Sequence, residues 1–241
     1  TFTFSFTNAF LFKAFEPKIG RIRKGNMHMK YMLATASAIA LLATAASAQD
    51  NNLRFGLGVS TMGATLEGAY RFNQNFAIRG VFAGGLNANG TQTVDGVNYN
   101  TSGQLGGFAL LADYYTGNSG FRLSGGAFVS NTSFSGNTTA SVANPITIGN
   151  TTLTGGETAS ASIDFARKVS PMLTVGYDWN IGRSFTVSGE VGAIAMGGLN
   201  VALAAPAAPA ADVARETQNI KDELSPFGVY PYVALTGTFR F

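Results

Sequence analysis

Glu67, Arg71, Arg79, Asp113, Arg122, Lys168, Asp178, Glu190 and Arg240 are ionisable residues that fall on one parity of a set of alternating segments. Carboxylates and guanidiniums brought to one face can pair into an ionic network or line a polar pathway, because enclosed charges must pair or stay wet. The network is the favoured reading. Catalysis lacks its other parts: the sequence has no cysteine, and its one histidine is His28, near the start. Thiol and serine–histidine nucleophiles, imidazole bases and the usual zinc ligand sets are therefore removed together. No nucleophile, base and orienter can be assembled, so neither an enzyme nor a cofactor or metal site is expected.

The segments that carry these residues have a period of two. Leu53, Phe55, Leu57 and Val59 alternate with Arg54, Gly56, Gly58 and Ser60, and a turn at Thr61 to Gly63 leads to Leu66, Gly68, Tyr70 and Phe72 opposite Glu67 and Arg71. Further strands are expected around residues 76–86, 108–115, 121–129, 163–179, 185–193 and 229–241. Each has an apolar and a polar or small face, the pattern of a strand between two solvents. The connections at 73–75, 116–120 and 180–183 are short, whereas the polar runs 87–101 and 130–160 and the stretch 194–228 are long. That alternation predicts an all-β fold: an eight-stranded antiparallel transmembrane up-and-down barrel with short periplasmic turns and longer outer loops. Such a barrel is just wide enough for its own side chains, which favours a filled lumen over a general pore.

Composition agrees with this reading. Charged residues make up 12% of the chain and hydrophobic ones 46%, with 30 glycines. That is too few charges for an ordinary soluble domain and too little continuous hydrophobicity for a helical membrane protein. Six basic residues and one acidic residue precede Gln49, and ten basic and twelve acidic follow it. The high isoelectric point thus belongs to the leader, and no nucleic-acid partner is expected. Residues 1–26 show no fold pattern. In 27–48, Lys30, the apolar run from Tyr31 to Ala45 and Ala46-Ser47-Ala48 read as a signal peptide cleaved after Ala48, with Ala46 and Ala48 as the small residues of the site. The barrel is expected to occupy 49–241.

Aromatic residues near the short-turn ends, among them Tyr70, Phe72, Phe76, Tyr114, Tyr177, Trp179 and Phe185, suit the level of lipid headgroups. Arg167, on the outward parity roughly 30 Å above Trp179, is expected in the outer headgroup zone or clear of it, as a solvated rim charge. Within the last long connection, Val213, Thr217, Ile220 and Leu224 form a helical stripe over Asp212 to Leu224, expected as a small cap lying on or beside the barrel mouth.

The closing strand, with Phe239, Arg240 and Phe241, resembles the C-terminal assembly signal of Gram-negative outer-membrane barrels. Together with Leu66-Glu67, Tyr70-Arg71-Phe72, Ile163-Asp164-Phe165 and the 212–224 insert, it makes the chain similar to small barrels of the OmpA, OmpX and OmpW type. The resemblance implies the bacterial outer membrane, lipid and lipopolysaccharide as surroundings, and the barrel-assembly machinery as a partner of the last strand. Two functions are carried forward: a structural barrel or narrow channel for small solutes, and a surface protein that binds an extracellular ligand through its long loops and the 212–224 helix.

Overall fold

The computed structural model describes residues 52–240 except 95, 96 and 118. The leader, with its signal peptide and cleavage residues Ala46 and Ala48, and Phe241 lie outside the described residues.

Strands β1 (Leu53–Ser60), β2 (Gly63–Arg71), β3 (Phe76–Val94), β4 (Val97–Tyr115), β5 (Phe121–Ser130), β10 (Val169–Ile181), β11 (Phe185–Ile194) and β13 (Tyr230–Arg240) close on themselves. Each pairs antiparallel with the next, and β1 pairs with β13 through Arg54–Arg240 to Ser60–Ala234. Closure removes every sheet edge from the barrel. The outward parity is exposed and apolar: Leu57, Leu66, Leu110, Leu173, Val191, Leu235 and Phe239 among others. Several outward glycines lie beneath an aromatic ring from an adjacent strand, as Gly68 does under Phe55 and Gly189 under Trp179. The ring covers backbone that a glycine leaves bare.

The long connections are present, but they are folded where the sequence reading expected polar loops. Bulged at Gly84 and Gly85, with Gly85 at φ 90°, β3 shifts register and continues past the barrel, and the upper half of β4 pairs with it as far as Val94–Val97. The run 130–160 forms β6 (Ser133–Thr139), the hairpin β7 (Ile146–Ile148) and β8 (Thr151–Leu153), and the start of β9 (Thr158–Phe165). β6 pairs with upper β4, β9 with β6, and β12 (Leu199–Ala204) with β9. The result is a head sheet rising from one wall of the barrel.

Helix α1 (Ala210–Leu224) packs on β12 and β7. Its Ile220 and Leu224 join Tyr99, Ile146, Ile148, Leu153, Ile163 and Val201 in the core of the head. The predicted stripe is therefore spent on the head itself, and of the two expected places, on or beside the barrel mouth, the helix takes the one beside it, where it covers the head sheet.

One predicted strand, 163–179, is two. The chain bends at 166–168, where the Ala166 and Arg167 N–H groups bond to the carbonyls of Gly198 and Met196. The parity does not carry through the bend: Ile163 and Phe165 are buried in β9, Asp164 is exposed, and Val169 returns to the lipid-type face in β10. Arg167 sits over Gly197 at this bend rather than on a continuous barrel strand.

Candidate functional site

The barrel interior has three layers, set by how far each inward residue lies along its strand. In the middle layer Arg79 of β3 is 1% exposed. Its Nε donates to Asp113 at 3.0 Å and its Nη1 to Glu190 at 2.8 Å and Glu67 at 3.4 Å. Its Nη2 donates to Glu190 at 2.7 Å and Asp113 at 3.3 Å. All five N–H donors of the guanidinium thus meet carboxylate oxygens, the satisfied geometry that an enclosed arginine requires. Three different strands supply the acids, so this one side chain ties β2, β4 and β11 to β3 across the lumen.

Arg122 of β5 continues the network, donating to Asp178 at 3.0 Å and Glu190 at 3.2 Å. A Cβ on Gly176 of β10 would lie 3.0 Å from Nη2 of Arg122, so the bare backbone there leaves the guanidinium its place. Thr174 donates a short hydrogen bond to Glu190, and Ser188 donates to Asp178 at 2.9 Å. Arg54 of β1 reaches Asp178 at 3.3 Å.

Towards the long-loop end the inward residues become apolar. Met62, Val81, Leu111, Phe128, Met172 and Ile194 are all buried, with Tyr232 and Ala234 of β13 beside them. Phe165 and Met196, from the base of the head, close over this layer. Towards the short-turn end lies a polar mouth, a cavity of about 340 Å³ lined by Arg54, Arg71, Gln74, Tyr115, Asp178 and Asn180 together with Gly117, Ser119 and Gly120.

Of the residues read as a lumen network, Glu67, Arg79, Asp113, Arg122 and Glu190 meet in the middle layer. Arg71 and Arg240 are half-buried at the mouth and make no salt bridge among the described residues. Arg71 instead stacks over the Tyr115 ring, its Cζ 3.8 Å from the centroid. Lys168 is not in the lumen: it is exposed at the bend, where its carbonyl accepts from Ser130 N–H. Arg54 was missed, although its place on the inward parity of β1 was the signal that could have found it. Phe239, of the predicted assembly signal, stands 47% exposed on the outward face.

Among the described residues no group of three or more histidine, cysteine or acidic side chains is placed to hold a metal ion. No described helix is long and apolar enough to cross a membrane, which does not bear on a barrel that crosses with strands.

A closed eight-stranded barrel, apolar outside and ionic inside, with short turns at one end and long folded connections at the other, defines the fold of the small outer-membrane barrels. Two solved structures share it. The crystal structure of Acinetobacter baumannii CarO aligns with a TM-score of 0.51 at 17% identity, covering 79% of this chain and 97% of that one. That of Acinetobacter baumannii CarO2 aligns with a TM-score of 0.52 at 16% identity, covering 78% and 98%. No family profile matches the chain, and no curated protein sequence matches it.

Proposed function

We propose that this protein is a non-enzymatic barrel of the bacterial outer membrane whose lumen is closed and whose role is to anchor the head at the cell surface. The observation that carries this reading is the Arg79 cluster. It fills the lumen with paired charges, and the apolar layer of Met62, Leu111, Phe128 and Ile194 lies directly above it. A solute would have to break buried ion pairs and then cross a dry layer. The exposed apolar belt and its aromatic ends support a membrane setting, with the short turns in the periplasm and the head outside. Export by a signal peptide cleaved after Ala48, and insertion by the assembly machinery through β13 with Phe239 and Phe241, complete the proposal.

Planar-bilayer recording of the refolded chain tests it. The expected record has no discrete conductance steps. Steps that change size in Glu67→Gln, Arg79→Gln or Glu190→Gln would establish the narrow channel instead.

A second reading, surface interaction, is favoured by the outer face of the head. Asn89, Ser102, Ser135 and Ser162 lie in register across four strands, with Asn100, Asn137 and Ser160 in the next row. These rows are exposed or half-buried and built of neutral hydrogen-bonding groups, with the exposed Asp164 in the row of Ser133, unlike the apolar belt below them. Vesicles containing lipopolysaccharide provide the probe. Binding above that to plain phospholipid, lost in Ser135→Arg while the barrel stays folded, supports the reading, and equal binding to both vesicles removes it.

A further inference from the structure

Arg54, Arg71 and Arg240 stand on β1, β2 and β13, three neighbouring strands, at the short-turn mouth. Arg54 is directly opposite Arg240 in the β1–β13 register, and across β1–β2 it faces Ala69, two residues from Arg71. All three lie on the inward parity, so their guanidiniums converge. Like charges directly opposite on one sheet face repel, and a sequence that keeps them needs a compensating anion.

The described residues do not supply enough of it. Asp178 is the carboxylate at the mouth, and its two oxygens already accept from Arg54, Arg122, the Tyr115 hydroxyl and Ser188. Four donors use the acceptor sites of a carboxylate. Arg71 and Arg240 have no acidic partner among the described residues. A second observation points the same way: the Nε–H groups of Arg54, Arg71 and Arg240 are all buried and all without an acceptor. Arg54 itself is 7% exposed. A buried donor with no acceptor is costly, whereas an oxyanion takes arginine N–H groups in a bidentate fork.

Beside them is room for one. The 340 Å³ cavity opens on Arg54 and Arg71; Asp178, whose oxygens are already taken, lines it together with the neutral Gln74, Ser119 and Asn180, and Arg240, though not in the wall, is the cross-strand neighbour of Arg54. We infer that the mouth at the short-turn end is a binding site for a small oxyanion, a phosphate or carboxylate group, held by Arg54, Arg71 and Arg240. The site lies on the opposite side of the Arg79 layer from the head, and it is independent of whether the lumen conducts. Its place facing the periplasm rests on the orientation proposed above.

The test uses the full chain refolded in a non-ionic detergent free of phosphate and followed by the NMR signals of the arginine Nε–H groups. Inorganic phosphate is titrated in one arm, acetate in a second and sodium chloride in a third, at matched ionic strength. The expected result is a saturable shift of the Arg54, Arg71 and Arg240 signals with phosphate, acetate or both, and none in Arg79. The arm that saturates identifies the oxyanion. Arg71→Gln with Arg240→Gln should weaken binding at least tenfold, and Arg215→Gln, on the head helix, should leave it unchanged. Gln74→Glu keeps every arginine but adds to the cavity a second carboxylate, one free to pair with them, and it should weaken binding by a similar factor. Shifts that match those of chloride, or both mouth variants binding as tightly as the native chain, would overturn the site.

Discussion

On β4, Phe108, Leu110 and Tyr114 are exposed and apolar, whereas Asn98, Asn100 and Ser102, on the same side of the same strand, are exposed and polar. Across the strand the inversion is complete: Asp113 is buried in the ionic lumen and Tyr99 in the apolar core of the head. Barrel and head thus solve one problem in opposite ways. Below the boundary the outer solvent is apolar, and the chain keeps its charges inside. Above it the outer solvent is water, and the core is oily. The change falls close to Gly103 to Gly107, where β4 exchanges β5 for β6 as its partner and β3 carries its bulge, so backbone and side chains mark the same boundary.

The largest effect that would break this contrast comes from Arg79. Replacement by alanine leaves Asp113, Glu67 and Glu190 facing one another in a closed space, and removing one member of a buried ionic cluster costs about 3–5 kcal/mol. Urea unfolding in detergent should show that loss, and the unboiled sample should no longer migrate differently from the boiled one. In the head the equivalent cut is Leu224→Ala, at 2% exposure. Truncating a buried leucine costs about 2–5 kcal/mol, but here the loss should be local. Protease should cleave between 205 and 229 while the heat-dependent gel shift persists. If Leu224→Ala abolished the gel shift, barrel and head would be one cooperative unit and the contrast would fail.

A matched pair of arginines sharpens the boundary. Leu235→Arg places a charge on the lipid face near mid-strand and should cost about 2–4 kcal/mol in bilayer refolding. Ser135→Arg makes the same kind of charge on the outer face of the head and should stay within about 0.5 kcal/mol. Equal costs would mean that both faces meet the same solvent.

The barrel was legible in the sequence because lipid on one side imposes strict alternation over whole strands. Leu57, Leu66, Leu173 and Leu235 could not have been placed inward without burying the wrong parity. The head was not legible for the converse reason. In β6 and β9 the outward residues are Ser, Asn and Thr and many inward ones are Gly136, Ala159 and Ala161, a pattern hardly distinguishable from a polar loop. Carrying one parity through Ala166, Arg167 and Lys168 assumed a single strand, and the error moved Lys168 into the lumen and Ile163 out of the head. Helix α1 was found because its stripe is strong, but a stripe does not say which surface it covers. The apolar upper lumen was visible in Val81 and Leu111, which fall on the inward parity but were given no weight beside the charges there.

The smallest test lies at the turn before β9, in the head and well away from the lumen ions. The Glu157 carboxylate accepts the N–H of Gly155 at 2.6 Å, and hydrogen bonds from its own backbone and from Gly155 hold its pKa below the usual 4.5. A carboxyl whose folded pKa is depressed stabilises the folded turn most fully above its unfolded value, and that contribution fades as pH falls through the lower, folded value. The Gly155 amide resonance should therefore stay constant above about pH 5 and titrate below 4.5, towards the position it holds at every pH in Glu157→Gln. A head that titrates while the barrel keeps its gel shift would show the two regions separating under pH as they do under mutation, whereas joint loss at one pH would tie the turn to the barrel.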